Sequence, residues 1–248
     1  MLPSYKKVLK LLEEWEMSFH PDKCHVLRVT RLTNPLTLDY ILHNQILKEK
    51  DAVKYLGVTV HHKLSWNEHI CSIFKKANSS ISFLRRNLQI DQKHIKANAY
   101  KTLVRPQIEY ASTLWDPFTQ KNQNKIDIVQ RRAARFVCNN YRGEASVTTM
   151  LDELGWRSLK QRRADQRLII LYKTVNNLVV VDLSNELIPL MRHSRNSHAK
   201  SFRIPYEKKI KTYLQYSFLP RTIKQWNGLP ATLATAQVIM YLRVGSGR

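Results

Sequence analysis

Val53-Lys54-Tyr55-Leu56-Gly57-Val58-Thr59-Val60, followed three residues later by Leu64-Ser65-Trp66-Asn67-Glu68-His69-Ile70, is the stretch that decides the fold. The first run is β-branched and aromatic, as a strand requires. Gly57 in its middle marks a bulge or a point where something approaches the backbone closely. The second run opens a helix. Ser65-Trp66-Asn67-Glu68 has the form of a capping box, in which the Ser65 hydroxyl accepts a backbone N–H three residues on and Glu68 reaches back. Trp66, Ile70, Ile73, Phe74, Ala77, Ile81 and Leu84 then share one helical stripe, with Lys75, Lys76, Arg85 and Arg86 off it or at its end. Strand patterning before this point and helical patterning after it predict an α+β fold, mainly α. A small antiparallel sheet is followed by a basic helical bundle and a second helical unit.

On the N-terminal side, Tyr5, Val8, Leu9, Leu12 and Trp15 recur at helical spacing and Pro21 ends that helix. From Cys24 to Arg31 the period becomes two. Leu38 to Leu42 forms another run, closed by a tight turn at His43-Asn44-Gln45 into Ile46-Leu47. On the C-terminal side, Asp91 is a good helix cap, with Ile95, Ala99 and Leu103 inward. Pro106 breaks or kinks that helix, which is expected to resume over Gln107 to Trp115. A helix from about Asn124 buries Ile126, Val129, Ala133, Phe136 and Val137 and turns Arg131, Arg132 and Arg135 outward. Ser146 caps Val147 to Leu154, Gly155 ends it, and Ser158 starts a helix packing on Leu159, Leu168, Leu171, Tyr172 and Val175. Lys160, Arg162, Arg163 and Arg167 crowd the first half of this last helix, against the preference of its dipole for acids. A polyanion would relieve that cost, with Asp165 doing part of the same work. Residues 192–211 read as a basic loop ordered on binding.

The charge balance is +22, with a sequence pI near 10.1. It is uneven: residues 1–60 hold 9 basic and 7 acidic side chains, 61–140 hold 14 and 5, and 141–248 hold 18 and 7. Such a field attracts polyanions and makes affinity fall with salt. Ribosomal, histone-binding and membrane-surface proteins share it, so the sign alone does not choose the polyanion. Three widely spaced cysteines, Cys24, Cys71 and Cys138, argue against a disulfide framework and for a reducing compartment. No signal peptide follows Met1, and the apolar tail Ala231 to Leu242 is short of the roughly 20 residues a membrane helix needs. The expected location is intracellular, nuclear or cytoplasmic, without a membrane. His61, His62, His69 and Cys71, and His20, Cys24 and His25, lack the spacing of a structural zinc site. No phosphate loop or hydrolase triad is present.

Taken in order, the motifs resemble the C-terminal part of LINE-type (non-long-terminal-repeat) retrotransposon reverse transcriptases. The likeness rests on Trp15, Phe19, Pro21-Asp22-Lys23-Cys24, Val53-Lys54-Tyr55-Leu56-Gly57-Val58 and Leu64-Ser65-Trp66-Asn67. It continues through Leu103-Val104-Arg105-Pro106, Trp115-Asp116-Pro117, Gln130-Arg131-Arg132-Ala133-Ala134-Arg135, Leu154-Gly155-Trp156 and Phe218-Leu219-Pro220-Arg221 to Leu229-Pro230. The resemblance implies a palm remnant over 1–60, a thumb-like bundle over 61–140 and a basic C-terminal helical region over 141–248. It matches Tyr55-Leu56-Gly57 to the primer grip, a hairpin that holds the terminal backbone of the primer. It matches Lys23 to a lysine proposed to protonate the leaving pyrophosphate, against the competing reading of a solvated turn lysine.

Polymerisation in this family uses paired aspartates on two magnesium ions. Their position is expected before the first helix, so no metal site and no cofactor are assigned to this chain, magnesium belonging to the full-length enzyme. Asp22, Asp39, Asp51, Asp91, Asp116 and Asp127 read as isolated acids. After Leu233 the pattern of the family is lost. The expected nucleic-acid contacts are Tyr55, Leu56, Gly57, Lys75, Lys76, Arg85, Arg86, Arg131, Arg132, Arg135, Lys160, Arg162, Arg163 and Arg167. The partner would be an RNA–DNA hybrid or duplex, held by its backbone, together with the missing N-terminal part of the enzyme. A truncated reverse transcriptase that binds primer-template without extending it is the leading reading. A non-enzymatic nucleic-acid-binding protein adopted from a retroelement, and a basic module for acidic partners, are the alternatives.

Overall fold

The computed structural model describes residues 12, 14–30, 32, 34–36, 38–183, 185–191, 198–205 and 215–234. The expected helix over residues 5–15 and the tail beyond residue 234 therefore lie largely or wholly outside the described residues. The chain divides into two compact units, Met1–His69 and Ile70–Arg248.

Short strands make up the first unit. A single 3-10 turn, Pro21–Lys23, precedes β1 (His25–Val26), which pairs in parallel with β4 (Lys48–Glu49). The regular alternation expected from Cys24 to Arg31 is thus realised over two residues only, and this pair is parallel where an antiparallel sheet was expected. Arg28 fastens it, donating from Nε and Nη2 to the two carboxylate oxygens of Glu49, each at 3.0 Å. β2 (Ile41–Leu42) and β3 (Gln45–Ile46) form an antiparallel hairpin whose turn residues, His43 and Asn44, have φ of 48° and 59°. Both fall in the left-handed region that a two-residue hairpin turn demands.

The run Val53 to Val60 is not the single strand that its pattern suggests but has the hairpin form that the resemblance implies. It is a hairpin, β5 (Ala52–Tyr55) on β6 (Val58–His61), with Tyr55 opposite Val58 and Leu56-Gly57 as the turn. Leu56 has φ 45° and Gly57 φ 84°. Gly57 is therefore a turn glycine and not a bulge inside a strand. Val58 is buried, and the Thr59 N–H donates to Nδ1 of the buried His69 at 3.3 Å. That bond ties β6 to the first turn of helix α1 (Asn67–Asn87), whose remaining turns belong to the second unit.

Helices build the second unit. Ile70, Ala77, Ile81 and Leu84 of α1 are buried, as the stripe predicts. The cap differs: the Ser65 hydroxyl lies 3.5 Å from the N–H of Asn67, two residues on and not three. α2 (Lys93–Ala99) is preceded by Gln92 without a side-chain cap, so Asp91 does not serve as one. Its inward face is also shifted. Ala97, Tyr100, Val104 and Ile108 are buried, while Ile95 and Leu103 are exposed.

A π-helical turn, Tyr100–Val104, continues α2 and ends with the Arg105 N–H bonded to the Tyr100 carbonyl. It stops one residue before Pro106, which has no N–H to give the preceding turn and whose ring crowds it. α3 (Arg105–Glu109) then ends at Tyr110, and Ala111 at φ 50° separates it from α4 (Ser112–Trp115).

α5 (Gln120–Cys138) starts four residues earlier than expected and buries Ile126, Val129, Ala133, Phe136 and Val137 as the spacing requires. α6 (Val147–Glu153) and α7 (Leu159–Val175) begin at the expected caps. Ser146 accepts from the Thr149 N–H and Ser158 from the Gln161 N–H. Gly155, at φ 60°, follows α6 in the left-handed conformation that ends helices. α8 (Phe218–Asn227) and α9 (Ala231–Ala234) close the described chain. Leu168, Leu171 and Tyr172 of α7 pack with Ile223 and Trp226 of α8, Ala234 and Phe202.

Most of residues 192–211 lie outside the described set, but 198–205 do not form a loose loop. The ring of Trp226 donates to the Lys200 carbonyl at 2.8 Å. Asn227 clasps Phe202 through both its N–H (3.0 Å) and its carbonyl (2.7 Å). These bonds satisfy backbone groups that a buried segment must pair. Among the described residues no helix is long and apolar enough to cross a membrane.

Candidate nucleic-acid interface

In the first unit, Lys23 is exposed at the end of its 3-10 turn. Tyr55 and Leu56, 69% and 72% exposed, stand at the tip of the β5–β6 hairpin beside Gly57. A glycine at φ 84° leaves the tip's backbone uncovered, which is the property that a backbone-gripping ribbon needs.

In the second unit the expected cations separate into two sets. Lys75, Lys76, Arg85, Arg86, Arg131 and Arg132 are exposed and Arg135 is half-buried. Three of these meet. Arg85 of α1 with Arg132 and Arg135 of α5 lines a cleft of about 310 Å³, completed by Asn78, Ser82 and Tyr141. The helical spacing of Asn78, Ser82 and Arg85 brings them to one face of α1, and Arg132 and Arg135 lie one turn apart on α5.

Each arginine is oriented. Arg132 donates from Nη1 to Asn78 Oδ1 at 2.7 Å, and Asn78 in turn donates to the Phe74 carbonyl at 2.8 Å. Arg135 donates to the Arg142 carbonyl at 3.1 Å. The Arg85 guanidinium carbon sits 4.6 Å from the centre of the Tyr141 ring, a cation–π contact. Among the described residues no acidic side chain lines this cleft. Its chemistry is that of a phosphate seat beside an aromatic face, the combination that holds single strands and duplex ends. Tyr141 was missed by sequence reasoning. It lies just past the end of α5, outside any periodic pattern, and only the fold carries it to Arg85.

Arg162, Arg163 and Arg167 occupy a different place. Arg162 is half-buried and chelates Glu109, with Nη2 to Oε2 at 2.9 Å and Nε to Oε1, which raises its pKa above the ordinary arginine value. Arg163 and Arg167 are buried, 1% and 3% exposed. Arg163 Nε donates to Asp116 Oδ1 at 2.7 Å, and Arg167 Nη1 pairs with Asp116 Oδ2. Arg221 reaches the same Oδ2 at 2.9 Å and the Asp116 carbonyl at 3.0 Å. Arg163 and Arg167 are thus turned inward onto Asp116 and do not form the outward-facing stripe expected of them, because a buried guanidinium needs a carboxylate. Burial lowers the pKa of all three arginines on Asp116, that of Arg167 to about 10. Lys160 remains exposed. Asp165 pairs with Arg157 at 2.6 Å and also acts on Arg162, whose pKa it helps to raise.

No group of three or more potential metal ligands occurs among the described residues. Asp116, Glu109, Asp165 and Glu49 are each held by arginine. Asp116, read as an isolated acid, is instead paired with three arginines, Arg163, Arg167 and Arg221.

Half of the chain is similar to curated proteins. It is 26% identical over 129 residues to the RNA-directed DNA polymerase from mobile element jockey of Drosophila melanogaster, covering 50% of this chain and 14% of that protein. It is 25% identical over 132 residues to the probable RNA-directed DNA polymerase from transposon BS of the same fly, with the same coverages. The jockey polymerase of Drosophila funebris matches at 25% over 128 residues, covering 49% of this chain and 14% of that protein. The chain therefore spans about a seventh of the length of these relatives. No family model and no solved structure matches it. The resemblance to retrotransposon reverse transcriptases carried by the motifs is shared by these relatives.

Proposed function

We propose that this chain holds the sugar-phosphate backbone of a primer-template as the palm-end and thumb portion of a retrotransposon reverse transcriptase, and does not extend the primer by itself. The carrying observation is the cleft, without an acid among its described lining residues, that Arg85, Arg132 and Arg135 share with Tyr141 and in which Arg85 stacks on the Tyr141 ring. In this reading residues 1–60 supply the grip at Tyr55-Leu56-Gly57, 61–140 the thumb-like bundle and 141–248 a basic C-terminal region. A hybrid close to A form offers phosphates and 2′-hydroxyls more readily than base edges, so the contacts are sequence-tolerant. Lys75, Lys76, Arg86 and Arg131, exposed on the same two helices as the cleft arginines, extend the basic surface. Polymerisation needs paired carboxylates on two metal ions, whereas Asp116, Glu109 and Asp165 are neutralised by arginine partners. Magnesium belongs to the complete enzyme.

Filter binding across a salt series tests this. The expected order is an RNA–DNA hybrid with a recessed 3′ end above blunt duplex DNA, with affinity falling steeply as salt rises. Hybrid binding no tighter than binding to heparin would favour a basic module for acidic partners. Equal binding of hybrid and blunt duplex would favour a nucleic-acid-binding protein without a polymerase's preference. DNA synthesis by the purified chain alone would overturn its assignment as a non-extending part.

A further inference from the structure

A second cleft, of about 380 Å³, lies where α7 and α8 meet the start of α5. Its lining is unlike that of the first. Lys160, Arg167, Arg221 and Lys224 face it with one carboxylate, Asp116, and the amides of Gln123 and Gln225. Both oxygens of Asp116 are already occupied by Arg163, Arg167 and Arg221. One negative charge thus serves three guanidinium groups, with two lysines at the rim. Asp127, which interacts with Arg163 and Lys160, and Glu109, which interacts with Arg163, are the other acids that bear on the group, and burial raises the pKa of Asp127.

Hydrogen bonding repeats the imbalance. Arg167 spends Nη2 on Gln225 at 2.8 Å, and its buried Nε has no partner among the described residues. Behind it the two Nη atoms of Arg163 are buried in the same condition. Buried charge of one sign is costly unless matched, and unsatisfied guanidinium donors add to that cost. Two helix starts aggravate it: Lys160 stands in the first turn of α7 and Arg221 in the first turn of α8, each against the helix dipole. A dianion bound in the cleft would offset the excess positive charge of Arg167, Arg221, Lys160 and Lys224 that line it, which is the physical content of an anion site.

We propose that this cleft binds a phosphate dianion, either free inorganic phosphate or the terminal phosphate monoester of a nucleic-acid strand. The seat is lined by Arg167 and Arg221 and gated by Lys160 and Lys224. It uses residues of α7 and α8 that the Arg85–Tyr141 cleft does not, so the two readings stand separately. The two exposed lysines supply charge without holding the fold together.

The full chain is titrated by calorimetry with inorganic phosphate at constant ionic strength. Saturable binding is expected, with sulfate competing and chloride not. The double variant Lys160→Ala, Lys224→Ala should weaken it by about tenfold or more, the loss expected from two charge-assisted contacts. Circular dichroism of that variant should match the parent. A single-stranded oligonucleotide bearing a 5′-phosphate, compared with its 5′-hydroxyl form, separates the sources. Tighter binding of the phosphorylated form, lost in the double variant, identifies a strand terminus; equal binding alongside saturable phosphate binding identifies the free ion. Phosphate binding that is undetectable up to about 10 mM, or is unchanged in the double variant, overturns the proposal. Removal of Arg85, Arg132 and Arg135 should leave phosphate binding intact, so failure of the backbone reading and failure of this one give different results.

Discussion

Asp116 Oδ1 accepts the Nε–H of Arg163 at 2.7 Å, joining the end of α4 to the second turn of α7 across 47 positions of sequence, with both side chains buried. With Arg167 and Arg221 on its second oxygen, this carboxylate holds α7 and α8 to the segment before α5. Removing one partner of a buried ionic group strands the others. Asp116→Asn keeps the shape and deletes the charge, so it should cost about 3–5 kcal/mol of stability. Urea unfolding followed by tryptophan fluorescence measures it. A loss below about 1 kcal/mol would show that the arginines are compensated in some other way.

Substitutions in the Arg85–Tyr141 cleft should act on binding and not on stability. Arg85→Ala with Arg132→Ala removes two exposed guanidinium groups, and the slope of log affinity against log salt should shrink by about 2. Tyr141→Phe keeps the ring and should bind like the parent, whereas Tyr141→Ala should lose about 1–3 kcal/mol if a base stacks there. An unchanged salt slope in the double variant would place the phosphate contacts elsewhere on the basic surface.

At the β5–β6 tip the chain places Leu56 in a left-handed conformation that leucine adopts poorly. Leu56→Asn creates the Asn-Gly pair that this turn favours and should raise stability by roughly 0.5–1 kcal/mol. Gly57→Val should do the reverse, because a β-branched residue at φ 84° is strained as well as obstructive. Preference for a recessed 3′ end should vanish in Gly57→Val and survive in Leu56→Asn if the tip's backbone makes the grip. A Gly57→Val chain that keeps its preference argues against a gripping role for the tip.

The local devices of this fold were legible because their causes are local. Ser146 and Ser158 cap the helices that follow them, His43-Asn44 turns a hairpin, and the apolar spacing of α5 names its own buried face. Arg163 and Arg167 were misread for the opposite reason. Four residues apart on α7, they look like a solvated stripe, and nothing near them signals that Asp116, much earlier in the chain, draws them inside. Leucine is rare at the first position of a two-residue hairpin turn, so Leu56-Gly57 suggested a bulge. Residues 198–205 carry no periodicity, and their order comes from single bonds to Trp226 and Asn227. Arg85, Arg132 and Arg135 could be named as cations from sequence, but their meeting in one cleft with Tyr141 depends on how α1 and α5 pack.

His69 gives the first unit a dependence on pH whose sign is fixed by its surroundings. It is buried, and burial pushes its pKa below the ordinary 6.5, with Lys54 acting in the same direction. Its Nδ1 accepts the Thr59 N–H, a role open only to the neutral ring with its proton on Nε2. The folded form therefore takes up a proton less readily than the unfolded one. Its stabilising contribution is complete above the unfolded value near 6.5 and declines as pH falls from there toward the lower folded value. Hydrogen exchange at the Thr59 amide, corrected for intrinsic rate, should show protection that is level above about pH 7 and drops toward about pH 5. His69→Gln, which cannot titrate but can still offer an oxygen to that amide, should flatten the profile. Equal declines in parent and variant would assign the acid sensitivity to some other group, Glu49 first, since its pairing with Arg28 also weakens on protonation.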